Sequence, residues 1–109
     1  MIVRELNDAF RRGERPELGR IMITSGVRDL VAAWPLGVLL LVNLVKEYSD
    51  FNADNNPYGE NDFGAFEYAG IKCFWKIDYY DKSLEAGSKD PADESKTCRV
   101  LTIMRADEY

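Results

Sequence analysis

The spacing of apolar residues predicts two helices. Near the start of the chain Ile2, Leu6, Ala9 and Phe10 recur at helical intervals, and the helix is expected to end before Gly13. A second helix is predicted for residues 35–48. Its positions 38–45 are apolar on nearly every side, a pattern typical of a helix buried within a protein.

Four further segments have the composition of β-strands. The first is the run GRIMITSG, residues 19–26, and it is followed by an ambiguous stretch, 27–34, that could form a helical turn. The others are Phe63–Tyr68, Ile71–Tyr80 and Cys98–Arg105. A tight turn at Ala69 and Gly70 is predicted to join Phe63–Tyr68 to Ile71–Tyr80 as a hairpin. The order of elements predicts one α+β domain over residues 1–109, with an antiparallel sheet of about four strands packed on two helices.

The run Ile71–Tyr80 alternates between two kinds of side chain. One face carries Ile71, Cys73, Trp75, Ile77 and Tyr79, and the other carries Lys72, Phe74, Lys76, Asp78 and Tyr80. We expect the first set to pack on the helices, with Trp75 and Ile77 almost fully buried against the helix at 35–48. The second set fits either the solvated face of a sheet or an aromatic and charged contact surface.

The net negative charge of the chain limits the kinds of partner that it can bind. The 109-residue chain has a net charge of −5, and residues 51–109 hold twelve acidic and seven basic side chains. An acidic surface repels phosphate, which argues against general nucleic-acid binding. It is compatible with a basic protein partner, and equally with charge that serves solubility alone.

The chain shows no signal peptide and no apolar run long enough to span a bilayer, so a cytoplasmic protein with no membrane association is expected. In that compartment Cys73 and Cys98 should be reduced thiols. If Ile71–Tyr80 pairs antiparallel with Cys98–Arg105, Tyr79 lies roughly opposite Cys98. The two sulfurs are then too far apart for a disulfide.

Little in the sequence favours catalysis. The chain has no histidine, the commonest general base and metal ligand. Glu60, Asp62, Asp78 and Asp81 are the candidates for acid/base chemistry, but no nucleophile motif or cofactor fingerprint accompanies them. The loop at 54–62 departs from the calcium-loop pattern and is expected to be a turn-rich loop capped by its own Asn and Asp side chains. We therefore predict no catalytic residue, no metal site and no cofactor.

The basic cluster near the first helix is also expected to have no binding role. It consists of Arg11, Arg12, Arg15 and Arg20, and acidic residues Glu14 and Glu17 are interleaved with it. Although such a cluster could contact phosphate, this alternation favours a solvated helix end.

Several ordered blocks resemble one protein family. ELNDAFRR, GENDFGAF, FWKIDYYD and DPADESKTCRVLTIMRADEY are similar to an uncharacterised family of small bacterial proteins, domain of unknown function family 3768. The resemblance implies a setting on plasmids and other mobile elements and no known activity. The family often has a histidine where this chain has Asn61, so any chemistry of that histidine is lost here.

The preferred prediction is a small acidic, non-enzymatic interaction protein that binds a host protein or nucleoprotein complex. Its specific form is an inhibitor or accessory factor of a mobile element, of the anti-restriction or anti-CRISPR type. The alternative is an acid/base enzyme, or its relic, that uses the loop from Glu60 to Asp62. The predicted binding surface comprises Tyr58, Glu60, Asp62, Phe74, Lys76, Asp78, Tyr80 and Asp81.

Overall fold

The structure, a computed structural model, describes residues 2–109. Its helices are α1 (Val3–Arg11), α2 (Ser25–Val31) and α3 (Gly37–Lys46), and short 3₁₀ turns lie at Pro16–Leu18 and Ala106–Glu108. Its strands are β1 (Gly19–Ile23), β2 (Phe63–Tyr68), β3 (Ile71–Tyr80) and β4 (Cys98–Arg105). The predicted α+β class and the four-stranded sheet are confirmed, with a third helix at the stretch that was ambiguous in sequence.

The sheet has the order β1-β4-β3-β2 and is mostly antiparallel. The exception is β1, which runs parallel to β4 with Gly19 opposite Arg99 and Ile23 opposite Ile103. Between these two strands the chain forms two helices and a hairpin, so β1 is not constrained by a short turn and can join the edge in either direction. The sheet is therefore mixed.

The β2–β3 hairpin forms where it was predicted. Tyr68 lies opposite Ile71, and the two turn residues between them, Ala69 and Gly70, both have positive φ (53° and 78°). Two consecutive residues with positive φ are the mark of a type I′ turn, whose twist matches that of the strands it joins.

All three α-helices contribute to a core on one face of the sheet. Leu6 and Phe10 from α1, Val27 and Val31 from α2, and Leu41 and Val45 from α3 meet the inner residues Trp75, Ile77, Leu101 and Ile103. Trp75 and Ile77 are buried as predicted, at 0% and 3% exposure. Tyr48 and Phe51 pack edge-on against Trp75, with ring centroids 5.5 and 6.1 Å away.

The prediction that the apolar helix is buried was wrong. In α3 only Gly37, Leu41 and Val45 are buried, while Val38, Leu39, Leu40 and Leu44 are exposed. A helix on one face of a single sheet can press only one stripe of side chains onto it. Within residues 2–109, no second layer covers its outer side.

The cysteines are both free, as expected from their separation. The β3–β4 register differs by one residue from the predicted one: Tyr80 lies opposite Cys98, and Cys73 lies opposite Arg105. The thiols are thus at opposite ends of the strand pair and, because side chains alternate, on opposite faces of the sheet.

Candidate functional site

The outer face of the sheet carries most of the predicted binding surface. Because the α-helices pack on the inner face, the outer side chains of β3 are only partly covered, and Tyr80 is exposed. Lys76 Nζ lies 2.8 Å from Asp78 Oδ2 along the same strand, and this hydrogen bond raises the pKa of Lys76. The charges on this face partly neutralise each other.

Phe74 belongs to an aromatic cluster on the outer face. Its ring centroid lies 5.2 Å from that of Phe63 on β2 and 5.4 Å from that of Tyr109, and the Phe63 and Tyr109 rings are 6.0 Å apart. Tyr109 therefore packs over this part of the sheet. Phe74 is half-buried and is less available to a partner than the alternating pattern suggested.

The loop part of the predicted surface is built differently. Tyr58 is fully open to solvent at 88% exposure, whereas Glu60 and Asp62 are partly buried. The Tyr79 hydroxyl donates a hydrogen bond to Glu60 Oε2 at 3.0 Å, and the Asp62 carbonyl accepts one from the Ile77 amide at 2.8 Å. Glu60 and the Asp62 backbone thus fasten the loop to the sheet.

Burial changes the acid/base properties of this loop. Desolvation is the main cause that raises the pKa of Asp62, and the nearby charges of Glu60 and Asp78 add to it. Desolvation also raises the pKa of Tyr79 strongly, so its hydroxyl stays protonated at neutral pH. The Tyr79 proton is directed at Glu60 Oε2, and this bond holds the Glu60 side chain beside β3.

Asn7 links the loop to the centre of the sheet. Its Nδ2 donates to the Glu60 carbonyl at 2.9 Å and to the Tyr79 hydroxyl at 2.8 Å. Its Oδ1 accepts from Arg99 Nε at 2.7 Å. Arg99 is fully buried, donates to the Pro91 carbonyl at 2.6 Å, and lies over the Tyr79 ring. This network joins α1, the 50–62 loop, β3 and β4.

A second buried arginine corrects the interpretation of the basic cluster. Arg11 was expected at a solvated helix end, yet it is 1% exposed. Its Nη1 donates to the carbonyls of Val45, Lys46 and Tyr48 at 2.8, 3.0 and 2.9 Å. These carbonyls end α3, where backbone acceptors lack helical partners and a cation is favourable. Arg11 therefore caps α3, a role that depends on where α3 lies.

The 50–62 loop is ordered by its own side chains, as expected. Asn52 Oδ1 accepts from the amides of Asp54 and Asn55 at 2.9 and 3.1 Å. Asn61 has a φ of 54° and donates to both carboxylate oxygens of Asp8 at 3.1 and 3.2 Å. The Asn61 side chain is thus engaged in holding the loop against α1.

The remaining predicted residue, Asp81, turns the chain out of β3. Its Oδ1 accepts from Ser83 Oγ at 2.8 Å and from the Glu85 amide at 3.1 Å, and the Ser83 bond is the main cause that lowers the pKa of Asp81. The structure thus places Phe74, Lys76, Asp78, Tyr80 and Asp81 on or beside the outer face. It places Tyr58, Glu60 and Asp62 on the adjoining loop.

A large apolar surface lies elsewhere and was not predicted as a site. We call it the α3 ridge, and it consists of Trp34, Leu36, Val38, Leu39, Leu40 and Leu44, which are between 44% and 63% exposed. At 100° per residue, Leu39 points almost directly away from the buried stripe of Gly37, Leu41 and Val45. The sequence did indicate this surface, because a helix that is apolar on every side is expected to be covered by other parts of the protein or by a partner.

A shallow groove runs beside the α3 ridge. Its volume is about 380 Å³, and it is lined by Phe10, Gly13, Pro16, Gly19, Ile21, Val42 and Lys46. Ile21 is on the inner side of the edge strand β1 but remains 43% exposed, because the helices stop short of this edge. Val42 belongs to α3, so ridge and groove adjoin.

Within residues 2–109, no group of three or more His, Cys, Asp or Glu side chains is arranged to hold a metal ion. No helix in the same range is long and apolar enough to cross a membrane.

The comparisons with known proteins identify the family and nothing further. No curated protein and no solved structure matches the chain significantly. The family model described as protein of unknown function (DUF3768) matches residues 23–108, which run from the end of β1 to the C-terminal 3₁₀ turn. With most of its length matched, from the last residue of β1 onward, the chain belongs to the DUF3768 family.

Proposed function

We propose that this chain is a non-enzymatic interaction protein whose principal contact surface is the α3 ridge. The observation that carries the proposal is the exposure of six large apolar side chains between Trp34 and Leu44. Single exposed apolar residues are common on protein surfaces. A continuous set on one helix and the turn before it is typical of an interaction site.

The chemistry of the ridge supports contact with protein rather than with a charged ligand. Residues 31–45 contain no charged side chain. Charged side chains are depleted at the centre of protein interfaces, where apolar and aromatic groups are enriched. Trp34 and the leucines beside it match that composition.

The open outer face of the sheet is the proposed site for a host partner. It lies on the opposite side of the sheet from α3, so both surfaces can be occupied together. Tyr80 and Asp78 offer an aromatic and acidic contact suited to a basic protein. The specific role proposed, an inhibitor or accessory factor of a mobile element, rests on small size, acidity and the setting implied by the family resemblance.

The alternative is an acid/base enzyme or its relic at the Glu60–Asp62 loop, and one observation favours it. The raised pKa of Asp62 is the kind of shift found in catalytic carboxyl groups. Against this, Glu60 and Tyr79 are hydrogen-bonded to each other, and the groove described above lies beside α3. We therefore favour the interaction function.

A cross-linking and capture experiment tests the proposal. Tagged wild-type chain in cell lysate should give a defined complex, with itself or with another protein, and Leu39→Glu should abolish that complex. The matched control is Ile2→Glu, which changes an apolar residue of similar exposure (51% against 57%) just before α1, outside both the α3 ridge and the outer face of the sheet. A ridge with no role would leave the complexes of the two variants alike, and this result would contradict the proposal.

A further inference from the structure

We propose that the occupant of the α3 ridge is a second copy of this chain, giving a two-fold symmetric homodimer. This inference rests on the proposed function, since it names the partner of the same surface. The area of the surface, its lack of charge and its adjoining groove all favour such a pair.

The exposed area fits a dimer interface. If a large side chain carries about 200 Å² in all, the half-exposed residues of the α3 ridge offer roughly 600–700 Å² of surface. The groove lined by Phe10, Ile21 and Val42 adds to this. A standard interface buries about 800 Å² on each partner, so two such surfaces suffice for a stable pair.

Charge does not oppose self-association at the α3 ridge. The chain as a whole carries −5, so two copies repel each other on average. Residues 31–45 have no charge, and Lys46 follows them at the end of α3. Two α3 ridges can therefore meet without like-charge repulsion at their centre.

The surface has both the projection and the recess that a two-fold dimer needs. In a two-fold dimer the same patch is used by both subunits, so it must contain both a projection and a recess to receive it. Val38 and Leu39 precede Val42 by four and three residues and therefore lie beside it on the helix surface. Val38 and Leu39 of one copy can then enter the groove at Ile21 of the other copy, and the two-fold symmetry repeats the same contact in the opposite direction.

Sedimentation velocity over a concentration series is the decisive measurement. The wild-type chain should shift from 12.4 kDa to twice that mass as concentration rises. Leu39→Glu should raise the dimer dissociation constant by at least roughly 30-fold, the scale of an interface hot spot. Leu44→Glu, at a second ridge position, should weaken the dimer too, and Ile2→Glu should leave it unchanged.

The exposed tryptophan supplies an independent readout. The chain has two tryptophans; Trp75 is fully buried and Trp34 is 58% exposed. Dimerisation should cover Trp34, so acrylamide quenching should fall with wild-type concentration. In Leu39→Glu it should stay high, while an unchanged circular dichroism spectrum shows that the variant is folded.

The outcomes separate this inference from the proposed function. A wild-type monomer at all concentrations, with a lysate complex that still requires Leu39, would overturn the dimer and leave the interaction function standing. A monomer whose Leu39 is needed only for binding to lipid vesicles would also overturn it. A dimer equally stable in Leu39→Glu and wild type would place the interface elsewhere and contradict the inference.

Discussion

Arg99 Nε donates a hydrogen bond to Asn7 Oδ1 over 2.7 Å, and both side chains are fully buried. Arg99 lies on β4, and Asn7 lies 92 positions earlier on α1. The bond joins the first helix to the centre of the sheet. Asn7 also lies outside the segment that matches the family model, so residues beyond that segment complete the polar network.

Replacing Asn7 by Ala should destabilise the protein strongly. The variant removes the partner of Arg99 Nε and the donor to the Tyr79 hydroxyl, leaving buried polar groups unsatisfied. We expect a loss of roughly 2–4 kcal/mol in the free energy of unfolding, measured by urea denaturation. Arg4→Ala, at an exposed position of the same helix, should change it by less than about 0.5 kcal/mol. Similar losses in both variants would contradict the network's importance.

Arg11→Met should release the end of α3. The loss of a guanidinium that donates to three carbonyls is expected to cost roughly 2–4 kcal/mol, because hydrogen bonds from charged donors are the stronger ones. Arg12→Met is the matched control, since Arg12 is exposed, and it should have little effect on urea unfolding. Arg11→Lys should restore stability only in part, because an ammonium lacks the planar fork of donors.

Trp75→Ala should leave a cavity between the sheet and the aromatic pair Tyr48 and Phe51. The expected loss is ~3–5 kcal/mol, enough to unfold a marginal domain. Thermal unfolding followed by circular dichroism measures it. Tyr58→Ala removes an aromatic ring that is open to solvent and should leave the melting temperature unchanged. A Trp75→Ala variant as stable as wild type would show that the core tolerates the gap.

Two aspartates should have opposite effects on the pH dependence of stability. The pKa of folded Asp62 lies above its ordinary value of 3.8. The stability that Asp62 contributes is therefore fully present below pH 3.8 and is lost as the pH rises through the folded pKa. In urea titrations, Asp62→Asn should therefore gain stability relative to wild type between about pH 3 and pH 6.

Asp81→Asn is the control with the reverse sign. The pKa of folded Asp81 is lowered from its ordinary value of 3.8. The stability that Asp81 contributes is therefore present above pH 3.8 and is lost as the pH falls through the folded pKa. This variant should lose stability relative to wild type as pH rises from about pH 2 to about pH 5, a lower window than that of Asp62. Shifts of the same sign in both variants would contradict the assigned environments.

The two thiols should react separately. In the native protein the partly exposed Cys98 should react with Ellman's reagent before buried Cys73, whose pKa is raised by desolvation. Under denaturing, non-reducing conditions both should titrate, and reductant should not change the unfolding midpoint. Finding no free thiol in the denatured monomer would contradict the β3–β4 register.

The sequence by itself determined the strands β2, β3 and β4, the hairpin turn and the inward position of Trp75. These features depend on local alternation and turn chemistry, which are visible in the order of residues. It also determined the family, through ordered blocks that span most of the chain.

Only the tertiary structure decided the direction of β1, the roles of the buried polar residues and the exposure of α3. Arginine is normally a surface residue, so burial of Arg11 and Arg99 depends on carbonyl and amide partners far away in sequence. Likewise, an apolar helix has the same residue pattern whether its cover comes from its own chain or from a second one. Only the arrangement of the layers shows that residues 2–109 of one chain leave the α3 ridge uncovered, because the single sheet receives one stripe of the helix and nothing packs on the rest.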